Sequence, residues 1–332
     1  MARVFLAMVL LGLGAWATLA LGVAGAPPGT LRLVLAAAMA ALTIACVGAV
    51  LIGYRARTAG LALVPPLLAV ALWFHAVDAR PDRAWLPDVA RAPWAQVEGE
   101  RLTFHEVRNF AWRTESDFTP RWEMRTVDLA QLEGVDLVAS YWMGDAIAHV
   151  MVSFVFADAP ALAVSIETRK EAGEPYSTLL GFFRRYELVY VVADERDLIG
   201  VRTNVRADPP EDVYVYHVDM APEAARRLLL EYVRDMNELR DRPQFYNTAT
   251  TNCTTMVLIN NRVNGPVSLL NWKILLSGYL PQLVYERGRL DQTLPFAELK
   301  RRSRVNEAAR AAGLDAPDFS ARIRAGLPAR TG

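Results

Sequence analysis

Apolar residues fill the first quarter of the chain almost without interruption, and only after Asp78 do charges interleave with them. Three apolar runs stand out, at residues 4–24, 31–53 and 60–77. Each has roughly the 17–25 residues that a helix needs to cross a bilayer. Arg32 lies at the edge of the second run, where its long stem lets the charge snorkel to the interface. Arg3 ahead of the first run gives it the start of a cleavable signal peptide, but its length and the two runs that follow at once fit a retained span better. Pro65-Pro66 makes the third run the weakest, although neighbouring helices can satisfy the carbonyls that proline frees.

Basic residues in the short loops set the orientation. Arg3, Arg55 and Arg57 flank one side, while the loop at 25–30 has no basic residue. Positive residues stay in the cytoplasm. Three spans then place everything after Asp78 across the membrane, in the periplasm of a Gram-negative cell, whereas two spans would reverse this. The expected location is therefore the bacterial inner membrane, multi-pass. No acidic residue lies inside the runs, so they read as an anchor and not as a transport path.

The pattern beyond the membrane divides in two. Residues 80–96, with Pro81, Pro87 and Pro93, read as an irregular lead-in. Aromatic residues cluster from 101 to 128, an arrangement that strand packing explains. Strand signals follow at 135–142, 148–156, 161–168, 186–193 and 213–218, the second and third split by Asp158-Ala159-Pro160 in the manner of a hairpin. Helical spacing then takes over. Pro222 opens an amphipathic stretch through Leu239 with a charged outer face, and 253–262 reads as a second, more buried helix. The tail from Leu299 is basic, then Ala-rich, and reads as a peripheral helix with a loosely held end. Strands first and helices after make the class α+β. The expected organisation is a membrane anchor at 1–78, a linker at 79–100 and one periplasmic domain at 101–332.

Composition narrows the functional classes. Lys plus Arg and Asp plus Glu each number 36, so no net field favours nucleic acid as a partner. Of the two cysteines, Cys46 is inside the second apolar run and Cys253 is in the soluble part, so they do not pair. Cys253 is then a lone thiol in a disulfide-forming compartment. It sits where a helix begins, and unpaired N–H groups there favour a thiolate and an oxyanion beside it. Asn252 is a further candidate oxyanion donor. The alternative is a buried, inert cysteine.

A nucleophilic cysteine needs a base. Among four histidines, His149 is the best placed, because the turn at Gly144-Asp145 sets it at the start of a strand. His75 is in an apolar run, His105 is in an arginine-rich segment, and His217 alternates with aromatics like an ordinary strand residue. On the neighbouring strand Ser165, Glu167 and Arg169 share one face. Glu167 is a candidate to orient His149; the competing reading is an ion pair of Glu167 with Arg169 or Arg185. Metal ligation fits poorly, with no Cys-x-x-Cys and no His-x-x-x-His, and nothing in the chain calls for a cofactor.

These stretches carry a family resemblance. Ala148-His149-Val150-Met151-Val152-Ser153-Phe154, Ser165-Ile166-Glu167-Thr168-Arg169, Gly181-Phe182-Phe183-Arg184-Arg185-Tyr186-Glu187, Asp194-Glu195-Arg196-Asp197 and Asn252-Cys253-Thr254-Thr255 together resemble the Lnb N-terminal periplasmic domain family across about 110–327. The family takes its name from a bacterial lipoprotein N-acyltransferase. The resemblance implies a circularly permuted papain-like (NlpC-type) fold with an antiparallel sheet. It also implies a nucleophile role for Cys253, a base role for His149 and a fatty-acyl substrate. The expected activity is acyl transfer from membrane phospholipid, through a Cys253 thioester, to an amine or hydroxyl of an envelope protein or lipoprotein. The alternatives are a papain-like peptidase or amidase acting on envelope peptides, and a non-enzymatic membrane-anchored envelope protein.

Overall fold

A computed structural model describes residues 1–25 and 29–330, so residues 26–28 of the expected loop at 25–30 lie outside the described residues. The chain forms two compact units. The first is Met1–Arg83 with Gly173–Glu187 and Gln244–Thr248, and the second is Ala84–Ala172, Leu188–Pro243 and Ala249–Gly332.

The first unit contains helices α1 (Ala2–Val23), α2 (Thr30–Ile52) and α3 (Ala56–His75), all long and apolar enough to cross a membrane. α3 runs unbroken through Pro65 and Pro66. α1 and α2 touch through small residues. A Cβ on Gly14 would come within 2.2 Å of Thr43 Oγ1, the close approach that membrane helices use for van der Waals contact. Arg32 donates to Leu21 O (3.0 Å) and Ala24 O (2.7 Å). It thereby satisfies carbonyls that the end of α1 leaves without helical partners. Two later segments complete this unit. Tyr246 N donates to Tyr186 O (2.9 Å), and Arg83 forms a buried ion pair with Glu187 (2.7 Å).

The second unit is built on an eight-stranded sheet: β1 (Trp94–Glu98), β2 (Arg101–Arg108), β5 (Trp122–Asp128), β6 (Leu132–Tyr141), β7 (Ala148–Phe156), β8 (Leu162–Arg169), β9 (Glu187–Asp194) and β10 (Asp212–His217). β3 (Ala111–Trp112) and β4 (Phe118–Thr119) form a separate small hairpin. The strand order is β1-β2-β9-β8-β7-β6-β10, with β5 also on β2. The sheet was expected to be antiparallel; it is mixed, because Arg108 of β2 pairs in parallel with Ala193 of β9. No hairpin links these strands, so no turn imposes antiparallel pairing. A buried carboxylate fastens them instead: Asp197 accepts twice from Arg108 (2.9 Å each), and from Phe110 N (2.9 Å) and Trp112 Nε1 (2.7 Å).

Alternation along the central strands gives each face of the sheet its own core. Val138, Met151, Ala163, Val191 and Val213 look to one side, packed with Val305, Ala309, Phe319 and Ile323. Leu137, Ala139, Val150 and Tyr216 look to the other, with Leu258, Ile274, Leu280 and Leu299. Those partners come from short helices after the sheet. These are α6 (Cys253–Asn260), α7 (Trp272–Leu275), α8 (Leu280–Glu286), α9 (Phe296–Arg302), α10 (Asn306–Ala312) and α11 (Phe319–Arg324). The short α4 (Glu195–Leu198) and the amphipathic α5 (Pro222–Asp241) precede them. Phe154, Tyr190 and Tyr232 meet edge to face between sheet and α5, with centroids 5.6 and 5.9 Å apart.

Two expectations change here. Part of the stretch assigned to a linker is structured: Leu86 N donates to Lys170 O (2.9 Å), Arg169 donates to Val89 O and Ala90 O (2.9 and 2.6 Å), and β1 follows. The tail is not loosely held through Arg330. Arg324 bonds Asp136 (2.9 Å) and Glu195 (2.6 Å), and Arg330 bonds Asp136 (2.8 Å). Both carboxylates are buried in the sheet unit, and buried carboxylates require a cation.

Candidate active site

The Asn252-Cys253-Thr254-Thr255 stretch folds as a capping box. Asn252 Oδ1 accepts from Thr254 N and Thr255 N (2.9 Å each), and Thr255 Oγ1 accepts from Asn252 N (3.0 Å). Such reciprocal capping fixes where a helix begins, and here it makes Cys253 the first residue of α6. The described side-chain bonds of Asn252 are thus those of a cap, which positions the thiol. Cys253 and Cys46 are both free thiols; Cys46 is buried in α2, whereas Cys253 is half-buried.

His149 reaches this thiol from β7. The turn ahead of it is strapped by the segment entering α8. Gly278 N donates to Ala146 O (3.0 Å), Ala148 N donates to Ser277 Oγ (3.0 Å), and Tyr141 Oη donates to Gly278 O (2.6 Å). A Cβ on Gly278 would lie 2.1 Å from Asp145 O, so only glycine allows this approach. Met151 pairs with Ser165 across β7 and β8; two residues further along each strand lie His149 and Glu167. His149 Nε2 is 2.6 Å from Ser165 Oγ and 3.0 Å from Glu167 Oε1, and Ser165 Oγ donates to Glu167 Oε1 (2.6 Å). The imidazole also lies close enough to Cys253 for each group to shift the other's titration. With Nε2 committed to Ser165 and Glu167, Nδ1 is the nitrogen left for sulfur.

The cation beside Glu167 is Arg202, at 3.3 Å, and not Arg169 or Arg185. Arg169 is spent on backbone carbonyls, and Arg185 pairs with Glu174. Arg202 comes from a π-helical turn, Val201–Val205, and is itself buried.

Charge follows from this geometry. Burial would push the Cys253 thiol up, but the charge and hydrogen bond of His149, with the backbone N–H of Val150, outweigh it and hold the thiol below its ordinary value. Burial opposes protonation of His149, yet Glu167 and Cys253 raise its pKa to about 9. Burial likewise opposes ionisation of Glu167, but His149, Arg202 and Ser165 hold its carboxyl well below the usual range. These shifts all act toward a thiolate beside an imidazolium, backed by a carboxylate and an arginine. A thiolate at a helix N-terminus is the nucleophilic form of cysteine, and an adjacent imidazolium can protonate a leaving group.

Of the residues singled out in the sequence, Cys253, His149 and Glu167 meet, and Asn252 caps the helix beside them. The other histidines lie elsewhere: His217 bonds Asp136 (2.6 Å), His105 stacks on Trp94 and His75 ends α3. Ser165 had been placed on the right strand face without a role; it bridges base and carboxylate. Arg202 was not foreseen, since nothing in its local sequence marks it. Among the described residues no group of three or more His, Cys, Asp or Glu side chains could hold a metal ion.

Fold and site together define a membrane-anchored α+β protein with a cysteine–histidine–carboxylate cluster. The model of the Lnb N-terminal periplasmic domain matches residues 118–278, which include all of Cys253, His149, Glu167 and Asn252. The matched stretch lies behind three apolar helices, and the two together fit a membrane-anchored envelope protein with a periplasmic domain. No curated protein and no solved structure matches the chain.

Proposed function

We propose that this protein is a cysteine-dependent acyltransferase of the bacterial inner membrane, with its soluble domain in the periplasm and a permuted papain-like arrangement of Cys253 and His149. The observation that carries the reading is the hydrogen-bonded cluster of His149, Ser165 and Glu167 beside Cys253, itself at the start of a capped helix. In this reading the Cys253 thiolate attacks an ester carbonyl of a phospholipid. The ester C–O bond breaks, and the His149 imidazolium gives its proton to the departing lysophospholipid oxygen. The thioester then accepts attack from an amine or hydroxyl of an envelope protein or lipoprotein. Neutral His149 takes the acceptor's proton, and the thiolate leaves, restoring the starting pair. Two half-reactions through one covalent intermediate give ping-pong kinetics. Glu167 holds the imidazole tautomer and stabilises its charged form.

The test is incubation of the full chain in liposomes containing a phospholipid with a labelled acyl chain. Acyl label should appear on the Cys253 peptide as a hydroxylamine-sensitive thioester and be absent from Cys253→Ala. Label that persists in Cys253→Ala refutes the intermediate. Cleavage of peptidoglycan or lipoprotein peptides without acyl label would assign the same site to a peptidase or amidase.

A further inference from the structure

We infer that the segment Gly173–Glu187, between β8 and β9, is a second membrane-contacting element whose Tyr176, Leu179 and Phe182 insert among the lipids at the level where α1 and α3 end. This inference does not depend on the acyltransferase reading.

Its geometry is set within the first unit. Phe183 is buried in the apolar cluster formed by the three spans. Arg184, held at a positive φ of 52°, donates to His75 O (3.0 Å) and Val77 O (2.9 Å) at the end of α3. The Arg184 guanidinium lies 5.1 Å from the Phe74 ring centroid. On the other side, Gly25 N donates to Arg184 O (2.8 Å) and Arg185 donates to Gly25 O (3.0 Å), just past the end of α1. The segment is therefore fastened to two span ends at once, and through the exposed carbonyls that helix C-termini present.

These contacts fix the depth. Val77 and Gly25 each lie two residues beyond the last residue of α3 and α1, about 3 Å along the helix axis at 1.5 Å per residue. The polar layer on each side of the hydrocarbon core is about 5–7 Å thick, so the Arg184 turn lies within it. The adjoining turn Leu180–Phe182 and the residues that lead into it carry apolar side chains that the protein does not cover. Leu179 is 54% exposed, Tyr176 49% and Phe182 42%. Two of these are aromatic, the side-chain type that favours this layer. A sequence reading could not have joined these residues to the spans, because they follow Val77 by about a hundred positions along the chain.

The test uses single spin labels at Leu179→Cys and, separately, Tyr176→Cys, in a chain also carrying Cys46→Ala and Cys253→Ala, reconstituted in phosphatidylethanolamine–phosphatidylglycerol liposomes. Leu179 is exposed, so its label leaves the packing intact; Tyr176→Cys gives up the ring's stacking on Tyr186 (centroids 6.1 Å apart) and serves as the second position. Collision rates with oxygen and with a water-soluble nickel chelate report the surroundings. Leu72→Cys on α3 is the lipid standard and Met124→Cys on β5 the water standard; both native side chains are exposed. The expected oxygen-to-nickel ratio at 179 is several-fold above that of Met124→Cys and within about two-fold of Leu72→Cys, as for apolar residues buried at the headgroup boundary. A ratio at both positions equal to the water standard overturns the inference. So does spin–spin broadening at high lipid dilution, which would assign the patch to a second copy of the chain.

Discussion

Replacing Glu167 with Gln tests the charge logic of the site with little change of shape. His149 holds its proton with a pKa of about 9 against an ordinary 6.5, which is about 3 kcal/mol in favour of the imidazolium. Glu167 is the first of the groups that raise it, so its loss removes a large share of that stabilisation. Its carboxylate also acts directly on Cys253, where it disfavours the thiolate, but His149 acts more strongly on the sulfur. The net sign is therefore loss of the ion pair. A weakening of about 1.4 kcal/mol lowers the equilibrium constant for the ion pair tenfold. The measurement is the rate of iodoacetamide alkylation against pH, followed by the mass of the Cys253 peptide, with buried Cys46 as a reference in the same chain. In the native chain the rate should rise with pH below the ordinary thiol value, because the thiol is lowered. In Glu167→Gln the rise should move to higher pH and the rate at pH 7 should fall, by up to about tenfold for that weakening. A profile that is unchanged, or that moves to lower pH, would refute the reasoning.

Four further outcomes are expected. Ser165→Ala should slow alkylation only a few-fold, since the direct His149–Glu167 contact at 3.0 Å survives and one bridging hydrogen bond is worth about 1 kcal/mol; a loss as large as that of Glu167→Gln would make Ser165 the main support of the base. Gly278→Ala should lower both thermal stability and Cys253 alkylation, because its Cβ would lie 2.1 Å from the Asp145 carbonyl ahead of His149; unchanged values would show that the strap is adjustable. Arg324→Met leaves Asp136 short of one cation and Glu195 without its partner, and urea unfolding should show a loss of about 3–5 kcal/mol. For orientation, a cysteine at Met124 should react with an impermeant maleimide in cells whose outer membrane is opened, and one at Arg57 should not; the reverse pattern would refute this orientation, and a like response at both sites would mean that α3 does not cross.

What the sequence made legible was what local rules control. The alternation through 148–156 located β7 and so the ring of His149, and the period-two spacing put Ser165 and Glu167 on one face of β8. Cys253 was readable as a helix start because Asn252 and Thr255 cap reciprocally within four residues. Arg202 was not readable, since it meets Glu167 only after a π-helical turn brings it there. The tail looked loose for the same reason. Its arginines resemble a solvated face until Asp136 and Glu195, far back in the chain, supply their partners. The parallel contact of β2 with β9 also depends on a distant carboxylate, Asp197. Long-range charge complementarity leaves no periodicity to read.

The clasp of Arg184 and Arg185 on the span ends bears on whether the soluble half can exist by itself. A chain starting at residue 79 keeps the sheet but takes Phe183 out of its apolar seat and strips Arg184 of the His75 and Val77 carbonyls. Such a fragment should be sticky and poorly folded in that region, so excision is a bad route to a soluble domain. A protease that cuts between Asp78 and Arg83 would sever the covalent tether, yet the clasp would remain. Shedding from the membrane therefore requires this segment to let go, and not only a break in the chain.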